Sequence, residues 1–107
     1  MNSPTLERRG VLDPLTWEQF APYLDQTFRA AFNSSTVDLV LISADRLAGG
    51  AAADGRQPFS LVFRGPRTPV LTQKIHRLHH ERLGPLDIFI VPIGPDQLGM
   101  RYEAIFS

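Results

Sequence analysis

Three histidines lie close together in the sequence, at positions 76, 79 and 80. On a helix, spacings of three and four residues would bring His76, His79 and His80 to one face, where their rings could bind a metal ion. On a strand, His76 and His80 share one face and His79 points to the other. Same-face positions four residues apart are roughly 13 Å apart, too far to share one ion. The apolar neighbours favour a strand, which weighs against a metal-dependent enzyme built on these residues.

Other catalytic patterns are missing from the sequence. The chain has no cysteine, which excludes a thiolate nucleophile and every zinc site that needs sulfur. None of its serines stands in a Gly-x-Ser-x-Gly nucleophile motif. The glycine-rich segment at 49–55 lacks the Gly-Lys-Ser/Thr ending that a phosphate-binding loop needs. We therefore expect a protein that is not an enzyme and that has no cofactor.

Charge and hydropathy narrow the choice of partners. The 11 basic and 11 acidic residues give a net charge of zero, whereas nucleic-acid binders usually carry a basic excess. Phe59 and Phe63 alternate on the face opposite Arg64, which is the spacing of a core rather than of a base-stacking surface. No apolar run approaches the roughly 20 residues of a membrane span, and no signal-peptide core is visible at the start. Nucleic acid and membrane are therefore not expected partners, and the expected location is the cytoplasm.

A helix is predicted over residues 16–24. Thr16 and Gln19 have the spacing of a capping box, and Leu15 and Phe20 that of a hydrophobic staple. Trp17, Phe20 and Leu24 would share one buried face. Pro22 removes a backbone donor, so the helix should be short and tightened near this residue.

The rest of the chain alternates with period two. Such alternation predicts strands over 27–32, 37–42, 57–64, 74–80, 86–93 and 100–106. Turn residues separate these segments and no crossover helix does, so the fold class is mainly β, with about six antiparallel strands in a small barrel or roll. Pro92 is expected to mark a strand end or an edge. Residues 1–14 are predicted to be a loose lead-in, 15–107 a single domain and 48–56 a flexible loop.

Two predicted strands carry apolar residues on both faces. Val40 and Ile42 lie on the face of their strand that is opposite its core-facing residues. Phe89 and Val91 lie on the corresponding face of their own strand. These four residues are candidates for a subunit interface, because exposed apolar clusters usually mark association. A second small core under the helix or the N-terminal arm is the alternative. An open sheet edge would offer a further template for pairing with another chain.

A binding pocket at the mouth of the barrel is a second functional hypothesis. Arg64, His76 and Tyr102 would lie near such a mouth and would bind a small molecule. A barrel of this size is usually filled by its own side chains, which weighs against a cavity.

Four segments of the chain resemble a family of small, uncharacterised bacterial proteins with a domain of unknown function. The segments are LTWEQFAPYL at 15–24, PFSLVFRGP at 58–66, FIVPIGP at 89–95 and MRYEAIF at 100–106. The resemblance implies an association with phage-tail-like gene clusters and brings no catalytic residue. This chain departs from the family at 74–81, where other members have an aromatic residue in place of His76 and an acid in place of His79.

We therefore expect a structural, assembly or adaptor module, with a phage-tail-related role implied by the resemblance. Its expected partner is another protein or a second copy of the chain. Incorporation into a phage-tail-like assembly is the alternative to a cytoplasmic location.

Overall fold

Alternating apolar and polar residues form six strands, which one short helix precedes. The structure is a computed structural model and describes residues 15–48 and 57–107. The elements are α1 (Trp17–Phe20), a 3₁₀ turn (Ala21–Tyr23), β1 (Thr27–Phe32), β2 (Ser35–Arg46), β3 (Phe59–Gly65), β4 (Lys74–His80), β5 (Gly84–Pro95) and β6 (Met100–Phe106). The predicted lead-in over 1–14 and nearly all of the predicted loop over 48–56 lie outside the described residues.

The six strands close into an antiparallel barrel in the order β1-β2-β3-β6-β5-β4, with β4 paired back to β1. The predicted fold class, a mainly β barrel with a short helix, is confirmed. The open sheet edge considered as a template for another chain is absent among the described strands, because each of them has a paired neighbour on both sides. Closure removes the free row of backbone donors and acceptors that an edge would offer to another chain.

The barrel consists of two three-stranded meanders, β1-β2-β3 and β4-β5-β6, although the sequence shows no internal repeat. The middle strands β2 and β5 each have 12 residues. Each pairs with the preceding strand in its first half and with the following strand in its second half. A register shift interrupts β2 between Leu41 and Ser43, and β5 between Pro92 and Gly94. Such bulges bend a strand, so each middle strand can turn from one side of the barrel to the other.

Pro92 occupies an unexpected place in this arrangement. It lies inside β5, opposite Tyr102 of β6, and not at the end of the strand. The adjacent bulge explains the difference, because the ladder is already interrupted there and tolerates a residue without a backbone donor.

Inward-facing side chains fill the barrel. Strand alternation directs one residue in two toward the axis, and cross-strand pairs such as Phe28 with Leu39 and Phe63 with Tyr102 meet there. Full burial of such a side chain contributes about 1.5–3 kcal/mol. The largest completely buried side chains are Tyr102, Phe20, Phe28, Phe59, Phe63, Leu39, Leu41, Leu61, Leu71, Leu78, Ile88 and Ile90.

Helix α1 closes one end of the barrel, which we call the lower end. The backbone N–H of Thr16 donates to Gln19 Oε1 at 2.8 Å, as the predicted capping box requires. The Trp17 indole N–H donates to the carbonyl of Ala44 on β2 at 3.0 Å, which attaches the helix to the wall. Phe20 is completely buried, and its ring centroid lies 5.9–6.3 Å from those of Phe28, Phe59 and Phe106. Among the described helices, none is long and apolar enough to cross a membrane.

The helical segment differs from its prediction in one respect. Leu24 was expected on the buried face, but it is 41% exposed, and Tyr23 packs against the core instead. The α-helical geometry ends at Phe20, and the 3₁₀ turn with Pro22 at its second position follows. Since a 3₁₀ turn has three residues rather than 3.6, it rotates the following side chains away from the face that the α-helical period assigns to them.

The connection between β3 and β4 closes the opposite, upper end. In the strand order, two strands separate β3 from β4 in either direction, so this connection must cross the barrel. Leu71 of the connection is completely buried, and its backbone N–H donates to the Tyr102 hydroxyl at 2.9 Å. Both ends of the barrel are therefore closed by a buried apolar side chain.

Replacement of the lower plug tests this arrangement. We expect Phe20→Ala to lower the free energy of unfolding by about 3–5 kcal/mol, because it leaves a cavity among three aromatic rings. Leu24→Ala, in the same segment, should cost less than about 1 kcal/mol. Urea denaturation of both variants measures the difference. Equal effects would contradict the role of Phe20 as the plug.

Candidate functional site

The three histidines are divided between the two faces of β4. His76 and His80 are buried and face the interior, whereas His79 is exposed. The strand geometry predicted from the sequence thus holds. In the described part of the chain, no group of three or more histidines, cysteines or acids could hold a metal ion. The metal-dependent alternative gains no support from this geometry.

His80 is the most constrained of the three. Its Nδ1 accepts hydrogen bonds from the backbone N–H groups of Arg82 and Leu83, at 3.0 and 3.2 Å. Nε2 must therefore carry the proton of the neutral ring, and it donates to Gln26 Oε1 at 2.8 Å. The centroid of the imidazole lies 4.5 Å from that of Tyr23 and 4.6 Å from that of Phe28. Burial is the main reason that the pKa of His80 lies below its ordinary value.

The residues of the predicted mouth pocket do not converge on a common space. Tyr102 is completely buried, and its hydroxyl accepts the Leu71 N–H at the upper plug. His76 Nε2 donates to the carbonyl of Thr72 at 2.7 Å. Arg64 points to the outer face of β3. A pocket for a small molecule stays an untested prediction, and no contact of these residues favours it.

Arg64 belongs to an ion pair on the outer wall. Its Nε donates to both carboxylate oxygens of Asp96, at 3.0 and 3.1 Å. The backbone N–H groups of Leu98 and Gly99 donate to the same carboxylate. These contacts, above all the bond from Arg64, lower the pKa of Asp96 to about 2. The pair ties the β5–β6 turn to β3 at the upper end.

Backbone contact reinforces this attachment. Gly99 follows the turn and lies directly against Gly65 at the end of β3, where a Cβ atom would collide with the Gly65 carbonyl oxygen. Arg67 also donates to the Asp96 carbonyl, at 2.8 Å. Arg64 and Arg67 are therefore engaged in holding the barrel together.

Four apolar side chains form a group on the outer faces of β4, β5 and β6, which we call the outer strip: Ile75, Phe89, Val91 and Ile105. Ile75 on β4 lies directly opposite Phe89 on β5. Val91 follows on the same face of β5, opposite Glu103 of β6, and Ile105 lies two residues beyond Glu103. Ile75, Phe89 and Ile105 are 63%, 49% and 60% exposed, and Val91 is half-buried. Large side chains of this kind are rarely grouped on a surface that faces only water.

The four interface candidates from the sequence separate into two places. Phe89 and Val91 belong to the outer strip. Val40 and Ile42 lie on β2 and are half-buried. Val40 is flanked by Thr27 of β1 and Arg64 of β3, and Ile42 occupies the bulge.

Sequence reasoning missed Ile75 and Ile105. The alternation of each strand contained the necessary information. Because Leu78 on β4 and Tyr102 on β6 face inward, the alternation assigns Ile75 and Ile105 to the outer face. What the alternation does not tell is which outer faces lie next to each other.

This geometry defines a class of protein, a small closed antiparallel β-barrel domain with plugged ends and an apolar strip on its wall. The model of one family, described as a domain of unknown function (DUF6916), matches residues 15–106. The chain belongs to this family. Comparisons with curated proteins and with solved structures found no match.

The Asp96 carboxylate gives a prediction for acid stability. Because the pKa of Asp96 is lowered from 3.8 to about 2 in the fold, its contribution is present above pH 3.8 and is lost as the pH falls toward 2. We expect Asp96→Asn to lower the melting temperature clearly above about pH 4, with the difference disappearing toward about pH 2.

Asp87→Asn is the matched control. Arg77 donates to Asp87 at 2.7 Å and lowers the pKa of this carboxyl, but more than half of each side chain is exposed. We expect a smaller loss, because solvent screens an exposed pair. Thermal denaturation from acid to neutral pH measures both effects. If Asp96→Asn lowered the melting temperature equally at every pH, the assignment of the lowered pKa to Asp96 would be contradicted.

Proposed function

We propose that this domain is a non-enzymatic assembly module that binds another protein subunit through the outer strip. The observation that carries the proposal is the grouping of Ile75, Phe89 and Ile105, all strongly exposed, on neighbouring strands of one wall. Contiguous apolar surface of this kind is typical of association sites.

The nature of the wall supports contact through side chains rather than through the backbone. Since the described strands close into a barrel, a partner has no free edge on which to add a strand. Phe89 can instead serve as an anchor, because aromatic side chains at the centre of an interface contribute much of its binding energy.

The ion pair of Arg77 with Asp87 lies one row from Ile75 and Phe89. A charged row beside an apolar centre is the usual anatomy of an interface, with a polar rim around a dry core. The strip would form only the centre, because stable interfaces bury about 800 Å² on each partner. The partner must therefore also cover the neighbouring polar rows.

The proposal extends to the setting of the module. From the association with phage-tail-like gene clusters that the resemblance of four segments implies, we infer a role in the assembly of such a particle. The partner would then be a second copy of the chain or the product of a neighbouring gene. The module would act in the cytoplasm or within the assembled particle.

The association test compares two exposed apolar residues. We expect Phe89→Asp to weaken association at least about 30-fold, as loss of an anchor contributing about 2 kcal/mol would do. Leu98→Asp is the control, because Leu98 is 76% exposed but lies in the β5–β6 turn, away from the strip. It should leave association unchanged.

Light scattering over a concentration series gives the solution mass of the protein alone and of its mixtures with the products of neighbouring genes. A strict monomer that binds none of these products would contradict the proposal. Equal effects of Phe89→Asp and Leu98→Asp would contradict the assignment of the strip.

A further inference from the structure

His80 lies where three parts of the chain meet at the lower end of the barrel. His80 is the last residue of β4, and its ring accepts hydrogen bonds from the backbone of the turn that leads to β5. It also holds Gln26, in the segment between the 3₁₀ turn and β1, and it packs against Phe28 of β1. No other histidine of the described chain makes contacts to three segments in this way.

These contacts require a neutral ring. Nδ1 faces two backbone N–H donors and offers them its lone pair. If Nδ1 took up a proton, N–H would point at N–H, and two partly buried backbone donors would lose their acceptor. The protonated ring therefore cannot keep the turn in the geometry that the neutral ring holds.

We propose that His80 is a pH-sensitive latch, whose protonation releases the β4–β5 turn and the segment around Gln26 from the lower end of the barrel. Protonation of His80 and release of the two segments do not depend on the proposed interface, so the latch is a separate property of the fold.

The groups around His80 set the direction of its response. Burial lowers the pKa of His80, and the neighbouring charges of His79 and Arg82 act in the same direction, whereas Glu81 opposes them. From the other segments, Tyr23, Gln26 and Phe28 face the ring, and none of them is a carboxylate or a basic side chain. The stabilising contribution of His80 is therefore present above the ordinary histidine pKa of 6.5 and is lost as the pH falls below it.

Release would act on the plug as well as on the turn. Tyr23 stacks on the latch and belongs to the 3₁₀ turn that directly follows Phe20. Phe28 contacts both His80 and Phe20, at centroid distances of 4.6 and 6.3 Å. Opening of the latch should therefore loosen the helical segment that closes the lower end.

Amide hydrogen exchange tests the latch in the intact protein. The readout is the exchange of the Arg82 and Leu83 amides, corrected for the intrinsic effect of pH. A group protonated only in the open state raises the opening equilibrium by up to about tenfold from about pH 7.5 to about pH 5.5. We expect such an increase in the unmodified protein.

The variant His80→Asn distinguishes the effect of protonating the ring from the structural effect of its hydrogen bonds. An asparagine side chain offers an acceptor oxygen near the position of Nδ1 but takes up no proton in this range. We expect slow exchange of both amides in this variant, with no dependence on pH. His79→Asn removes one of the neighbouring charges that lower the pKa of His80, so it should move the midpoint of the response to higher pH but keep the response itself.

Two results would overturn the proposal: an unchanged pH response in His80→Asn, or loss of the response in His79→Asn. Should His80→Asn fail to fold, ¹⁵N NMR of the His80 ring nitrogens in the unmodified protein gives the tautomer and the titration midpoint instead. The latch requires a neutral ring with the proton on Nε2 and a titration midpoint below 6.5. A proton on Nδ1, or a midpoint above 6.5, would exclude it.

Discussion

Barrel closure depends on two long strands that must each bend from one neighbour to the next. β2 leaves β1 and joins β3, β5 leaves β4 and joins β6, and each carries a bulge where the change occurs. The bends bring β3 against β6 and return β4 to β1. Because the β3–β4 connection then has to cross the upper end, Leu71 becomes a plug there, as Phe20 is at the lower end.

Because side chains fill the interior and close both ends of the barrel, the surfaces that can contact another molecule lie on the outer wall. The buried polar groups of Tyr102, His76 and His80 each bond to a backbone or side-chain partner, so their hydrogen-bonding needs are met within the fold. The outer strip, by contrast, presents exposed apolar side chains on the wall. The proposed module thus combines a rigid barrel, a strip that can contact another subunit, and a histidine whose charge state controls one end.

Local patterns predicted the candidate site only in part. The alternation placed His76 and His80 on one face and His79 on the other, and it placed Phe89 and Val91 outside the core. It could not show that Arg64 bonds to Asp96, a residue 32 positions away in a turn. Nor could it show that Phe89 is exposed while Val40, Ile42 and Val91 are half-buried, because all four residues lie opposite the core face of their strands. Their difference comes from the neighbours that closure supplies.

The sequence by itself determined the type of each element, the turns between them and the inward faces of β2, β3, β5 and β6. These properties depend on neighbouring residues, through strand periodicity, the Thr16–Gln19 cap and the glycines and prolines of the turns. The tertiary structure alone decided the strand order, the place of Pro92 within β5 and the exposure of Leu24. It also brought Ile75 and Phe89 together and set the ring of His80 between Tyr23 and Phe28. Such outcomes join residues that are distant along the chain, so they follow from closure of the barrel and from no local pattern.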